Sequence, residues 1–364
     1  MKIPAPRGPL STTLFDLLSA AEPPAAAALS ELTTAARDAA SATEDILRDE
    51  DIQLTLFCLY ELHYSGLDGV SDDLEWNPGL VGLRLELEAS FEAALRRTVP
   101  VPELPGSGSE AVAEELFRMA ADDDGPSISR FVASKATADQ LKEFLILRSV
   151  YQLKEADPHS WAIPRLPVGR AKAALIEIQA DEYGGGRPER MHSHLFAVTM
   201  RGLELETEYG WYLDFVPALT LASSNAMSLF GLNRRLRGAI AGHLAAFEMT
   251  SSIPNSFYAR GFRRLGFGED VTYYFDEHVE ADAVHEQIAA RDLAGGLAES
   301  DPALLADVMF GAATVLTLDA LMGQDQLQAW QEGRSALRAV DSDSSGAAAA
   351  DALAGAAMAA GVTP

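Results

Sequence analysis

Apolar residues recur at helical spacing along nearly the whole chain, and alternating apolar and polar runs bounded by turn signals are scarce. A chain of 364 residues with that pattern is restricted to an all-α architecture, with ample material for a buried core. The periodicity predicts helices near 12–20, 24–40, 50–63, 78–97 and 110–121. Beyond these it predicts helices near 137–155, 168–182, 190–207, 214–230, 233–252, 254–265, 269–291 and 303–334. VPVPELPGSGSE at 99–110 reads as a connector and DDDGPS at 122–127 as an acidic break. Gly184-Gly185-Gly186 and Gly295-Gly296 read as further breaks, and Ser251-Ser252 before Pro254 and Ser300-Asp301 before Pro302 as polar caps. Three regions follow: an N-terminal helical extension over 1–125, a core over 126–338, and a disordered Ala/Gly/Ser-rich tail over 339–364.

Charge and cysteine content narrow the function. A net charge of −26 argues against nucleic acid or an anionic membrane as partner, because phosphate neutralisation needs clustered Lys and Arg. The basic islands at Arg234, Arg235, Arg237 and at Arg260, Arg263, Arg264 are too small to reverse this. Cys58 is the single cysteine, so any metal must rest on His and carboxylate ligands. The N-terminus has no unbroken apolar core of signal-peptide length, and the apolar run at 309–318 is far below the ~20 residues that span a bilayer. A soluble, cytoplasmic protein is the expectation.

Within YYFDEHVEADAVHEQI, residues 273–288, His278, Asp282 and His285 stand at i, i+4 and i+7. At about 100° per residue they fall within roughly 60° of one another on a helix. Two imidazoles and a carboxylate aimed the same way suit Fe(II), Mn(II) or Zn(II). The same spacing also fits a solvated polar stripe, since Glu277, Glu280, Glu286 and Gln287 make the helix polar elsewhere.

Further candidates lie upstream. Glu182 and His192 flank the GGGRP turn, ten positions apart, so that one closes a helix and the other sits near the start of the next. Glu248 stands among Leu244, Ala245, Ala246, Phe247 and Met249, where a carboxylate needs a partner; a metal supplies one, and so would Arg260 or Arg263. Glu155 could add a carboxylate from the preceding helix. His194 is a weaker candidate, and His159 and His243 read as surface or outer residues. Three His and three or four carboxylates from several helices, with no thiolate, match the composition of dimetal sites built between facing helices.

In their order, Glu182 and His192, then Glu248, then H-x3-D-x2-H, these residues resemble the haem-oxygenase-like diiron oxidases and oxygenases, the iron-containing redox enzymes. EYGGGRPERMHSHLF, GHLAAFEMTSS and FDEHVEADAVHEQIA carry the likeness, which covers roughly residues 130–335. The resemblance implies a haem-oxygenase-like bundle of about seven helices holding two non-haem Fe(II)/Fe(III) ions, with O2 as co-substrate. Glu182, His192, Glu248, His278, Asp282 and His285 are then the ligands, and Glu155 a seventh. His192, Glu182 and a bridging carboxylate would serve one iron, and the helix of His278, Asp282 and His285 mostly the other. The implied activity is O2-dependent oxidation of a small molecule: N-oxygenation, or oxidative C–C cleavage or desaturation of an amine, amino acid or fatty acid. An electron donor and a homodimer formed through the extension are implied as partners. Arg187, Arg234 and Arg235 are candidates to clamp a substrate carboxylate, beside a role in structural ion pairs. A metal-free helical enzyme, either a cofactor-free oxidase or thiaminase-like, and a non-catalytic helical binding protein are the competing readings. A single metal or an Mn/Fe pair remains open.

Overall fold

The computed structural model describes residues 1–122, 125 and 127–340, the side chains of residues 280–283 excepted. The tail expected to be disordered therefore lies, from residue 341, outside the described residues. The first five long helices are α1 (Pro9–Leu18), α2 (Ala26–Ala42), α3 (Glu50–Glu61), α4 (Pro78–Thr98) and α5 (Ser109–Ala121). They are followed by α6 (Ile128–Ser134), α7 (Ala138–Gln152), α8 (Arg170–Glu182), α9 (His192–Gly202) and α10 (Ala218–Leu232). The chain continues through α11 (Arg237–Met249), α12 (Ser252–Arg264), α13 (Glu269–Gln287) and α14 (Leu305–Gln331). No strand occurs among the described residues. The protein is all-α.

Local chemistry starts these helices. Asp49 caps α3 by accepting from the Ile52 amide, and Asn77 caps α4 by accepting from Gly79 and Leu80 behind Pro78. Thr137 and Gln140 close a reciprocal box at the head of α7. Three expectations differ. The segment after the acidic break forms α6, begun by Ser127 accepting from the Arg130 amide. Gly295-Gly296 does not interrupt the chain, which runs from α13 through a π-helical stretch, Ile288–Gly295, into Gly296–Ser300. There Gly295 lets the backbone pass Ser109, whose carbonyl would lie 2.7 Å from a Cβ. Neither Ser251 nor Asp301 caps its helix through its side chain, and Asp301 instead pairs with Arg237 at 3.2 Å.

Two hydrophobic cores result. The larger joins the N-terminal helices to α10, α11 and α14 through Leu54, Phe57, Phe91, Phe230, Leu244 and Phe310. The smaller packs α7, α9, α12 and α13 through Phe144, Phe196, Phe262 and Phe275. Backbone contact sets the α11–α14 crossing: a Cβ on Gly242 would lie 1.8 Å from the Val308 carbonyl oxygen, and one on Gly311 1.9 Å from that of Ala239. By length and hydropathy alone the stretch Pro302–Gln331 could cross a membrane, contrary to the estimate from its apolar run; 61% of its most apolar window is buried in the fold.

An ion pair ties α3 to the turn after α7. Lys154 Nζ bonds Glu61, Tyr209 donates its hydroxyl to the same carboxylate oxygen at 2.8 Å, and the ammonium lies 4.2 Å from the Tyr64 ring centroid. Glu61 and Lys154 are both buried, and Glu155 is the next residue.

Two stability predictions follow from this packing. Gly242→Ala has no space for its methyl and should cost roughly 3 kcal/mol, whereas Gly82→Ala, in open space on α4, should gain about 0.5–1 kcal/mol. Urea denaturation at constant m-value reads both. Lys154→Ala, which strands a buried carboxylate, should cost about 3–5 kcal/mol by the same measurement, and a loss below about 1 kcal/mol would show the pair to be dispensable.

Candidate metal centre

The polarity of α13 is inverted relative to a solvated stripe. His278 and His285 are buried, while Tyr273 and Val284 are 44% and 60% exposed. Around these histidines four chain segments end: Glu182 closes α8, His192 opens α9, Glu248 stands one residue before the end of α11, and Glu155 follows α7 by three residues. All four are buried.

The triglycine turn makes the α8–α9 reversal possible. Gly184, Gly185 and Gly186 take φ of 66°, 59° and 79°, the left-handed region that glycine enters without steric cost. A Cβ on Gly184 would also lie 2.6 Å from the Arg190 carbonyl carbon. The chain folds back so tightly that His192 Nδ1 comes 2.9 Å from Glu182 Oε2.

The donors fall into two groups. Glu155, Glu182, His192 and His278 bring one ligand atom each within 4.8 Å of one another, and Glu182, Glu248 and His285 do the same. Glu182 belongs to both. The expected division differs here: His278 joins His192, their rings 4.4 Å apart, and His285 faces Glu248 with Nδ1 3.5 Å from Oε2. Seven residues of α-helix span about 10 Å, so two histidines two turns apart reach two adjacent positions rather than one. Asp282 lies on α13 between them, but its side chain is outside the described residues.

Neighbouring groups orient the donors. His278 Nδ1–H donates to the Tyr274 carbonyl at 2.7 Å, which turns Nε2 toward Glu155 Oε1, 3.7 Å away. The Tyr274 hydroxyl reaches both Glu155 oxygens, at 3.0 and 2.9 Å. His285 Nε2 lies 3.1 Å from Asp181 Oδ2. Sequence reasoning missed Tyr274 and Asp181. Tyr274 was findable, four residues before His278 on one helical face; Asp181 stands out only as half of an Asp-Glu pair.

Electrostatics shows how tightly the charges are coupled. Burial pushes the Glu182 carboxyl up, but His192, His278 and His285 outweigh it and hold it down at about 2. Burial likewise lowers His285, while Glu248, Glu182 and Asp181 raise it to about 9. His192 is raised by Glu182 against its burial. Three carboxylates and three imidazoles are the donor set that borderline and hard divalent ions take. A void of about 10 Å³, the scale of one water, is bounded by Tyr151, Glu155, His159, Glu182, Glu248 and His278. Donors on one ion lie up to about 4.2 Å apart, twice a bond of about 2.1 Å, so the observed spacing needs only a small closure. The residues fit a pair of metal ions.

The remaining candidates stand outside both donor groups. His194 joins neither group. Of the two readings of His159 and His243, the surface one fails and the outer one holds for His159, which bounds the void: both are buried, with Nε2 and Nδ1 3.1 Å apart, and burial lowers His159 to about 4. Arg263 pairs with Asp276 and Arg235 with Glu92, so those arginines are committed to structure.

These contacts predict how metal is lost. His285→Ala and His192→Ala should each lower Fe(II) content by one equivalent per chain with the helical circular dichroism kept, while Glu182→Ala should affect both equivalents. Gly184→Ala, forced into a left-handed φ beside Arg190, should weaken binding at least tenfold by anaerobic titration. Full retention of iron in Glu182→Ala would remove it as the shared donor.

Comparison with known proteins places this geometry. Residues 142–320 match the family described as iron-containing redox enzymes. A nitrosourea synthase of Streptomyces achromogenes subsp. streptozoticus is 29% identical over 133 residues. That match covers 36% of this chain and 28% of the relative, so the chain spans little more than a quarter of that protein's length. Two crystal structures of a CADD-like protein of unknown function from Nostoc punctiforme PCC 73102 are 17% and 14% identical, with TM-scores of 0.49 and 0.48. They cover 60% and 64% of this chain and 97% and 99% of their own. Every described donor lies inside the segment, residues 142–320, over which this all-α, haem-oxygenase-like chain matches the iron-containing redox enzyme family.

Proposed function

We propose that the protein is a non-haem diiron oxidoreductase that uses O2 to oxidise a small molecule. The observation that carries this reading is the shared carboxylate: Glu182 stands in both buried donor groups, the position a bridge between two ions occupies. Glu155, His192 and His278 would hold one iron with Glu182; Glu248 and His285 would hold the other. Bound there, a pair of ferrous ions supplies the two-electron reduction of O2 that this chemistry needs.

The chain's own residues set the conditions. Tyr274 holds Glu155 through its hydroxyl and His278 through its carbonyl, so one residue fixes two donors. Tyr151 and Phe247 line both the small void and the large cavity beside it and set two aromatic rings on a boundary that Glu155, Ser251 and His278 share. Such a wall limits water and strengthens every interaction with the ions. The likeness to a nitrosourea synthase supports N-oxygenation over C–C cleavage or desaturation, since a nitrosourea requires oxidised nitrogen. A cytoplasmic homodimer supplied by a separate electron donor completes the proposal.

Anaerobic titration of metal-free protein should reach two Fe(II) per chain. Oxygen added to that form should be consumed in an electrode cell in proportion to bound iron, and Glu182→Ala should consume less than a tenth as much. A folded protein that takes up no iron would return the chain to a metal-free helical enzyme or binder.

A further inference from the structure

A cavity of about 730 Å³ adjoins the metal centre, within the range of about 300–1,000 Å³ usual for small-molecule sites. Its wall includes Glu155, Tyr274 and His278 of the centre, and also Arg148 and Tyr258. Arg148 precedes Glu155 by seven residues along α7 and its closing turn, which separates their backbones by roughly 11 Å.

Arg148 differs from most arginines of this acidic chain. Arg7, Arg48, Arg96, Arg170, Arg235 and Arg263 are each paired with a carboxylate. The polar contact of Arg148 is neutral: Nη2 donates to the Tyr258 hydroxyl at 3.1 Å. Its guanidinium lies 3.9 Å from the Phe144 ring centroid and 5.3 Å from that of Tyr258, so two aromatic rings pack against it. A guanidinium fixed in this way, beside a cavity, keeps donors for a planar anion. The other cation on the wall, Arg130, is exposed. Glu155, Asp319 and Asp325 line the same wall, and Asp325 is already paired with Arg48. That field disfavours a multiply charged anion and leaves a single carboxylate as the matching group.

We propose that Arg148 is a specificity-determining residue, which binds the carboxylate of a small monocarboxylic substrate and lays the rest of that molecule along the cavity toward Glu155 and His278. The proposal rests on the metal-centre reading for what happens at the far end, while the carboxylate site itself can be tested with or without metal.

The test is calorimetric titration of the full chain, metal-free and Fe(II)-loaded under argon, with hexanoate, octanoate and decanoate and with their primary amides. The expected result is an acid preference of at least tenfold in both forms, abolished in Arg148→Gln. Arg148→Lys, which keeps the charge but not the planar fork, should retain a few-fold preference, and it carries the test where Arg148→Gln does not fold. Equal affinity for acid and amide, no binding of any of the acids, or an intact preference in Arg148→Gln overturns the proposal. Iron content is measured on the same samples. An intact acid preference without iron uptake would uphold Arg148 and sink the diiron reading.

Discussion

Glu155, Glu182 and Glu248 are buried within a few ångströms of one another's partners, and burial of three carboxylates is strongly unfavourable unless positive charge is buried with them. His192, His278 and His285 answer that requirement. Protonated, they neutralise the carboxylates, which is why His285 is raised to about 9 and Glu182 held at about 2. Neutral, they become donors to cations that do the same work. Either way, the centre of the bundle is organised around an electrostatic demand that apolar packing could not meet, and the helices around it are placed so that six polar side chains can converge.

That convergence depends on close backbone approach at two other places. Gly242 and Gly311 let α11 and α14 touch, which fixes the axis of α11 and hence the position of Glu248 near its end. The triglycine turn brings the end of α8 against the start of α9. The ion pair of Lys154 with Glu61 anchors the residue before Glu155 to the N-terminal helices. All four chain segments that meet α13 are therefore held by features other than the donors themselves. The N-terminal helices share the larger core and so bear on the geometry of a centre to which they contribute no described donor.

The cavity beside the centre gives this arrangement a chemical direction. Its wall joins Glu155 and His278, two of the candidate donors, to a guanidinium braced by Phe144 and Tyr258, so the packing that forms the smaller core also positions the cation. An aromatic core that holds a charge in place limits the rotamer entropy lost when an anion binds.

Much of this was legible in the sequence. The helices were visible because amphipathic periodicity and local caps are written within a few residues of each other, as at Asn77-Pro78 and Thr137 with Gln140. Six of the seven candidate donors are brought together, since chain reversal at three glycines and a carboxylate among alanines are local signals too. What the sequence left undecided depends on distance through space. The division of His278 and His285 between two groups, the sharing of Glu182, the burial of His159 beside His243 and the support of Tyr274 under Glu155 require the facing helices to be in place. The clamp candidates Arg187, Arg234 and Arg235 do not line the cavity, whereas Arg148 and Arg130 do. Periodicity determined which residues form helices and which faces turn inward; only the crossing of those helices decided which inward residues meet, because pairing across a bundle is set by helix axes and register, and neither is encoded locally.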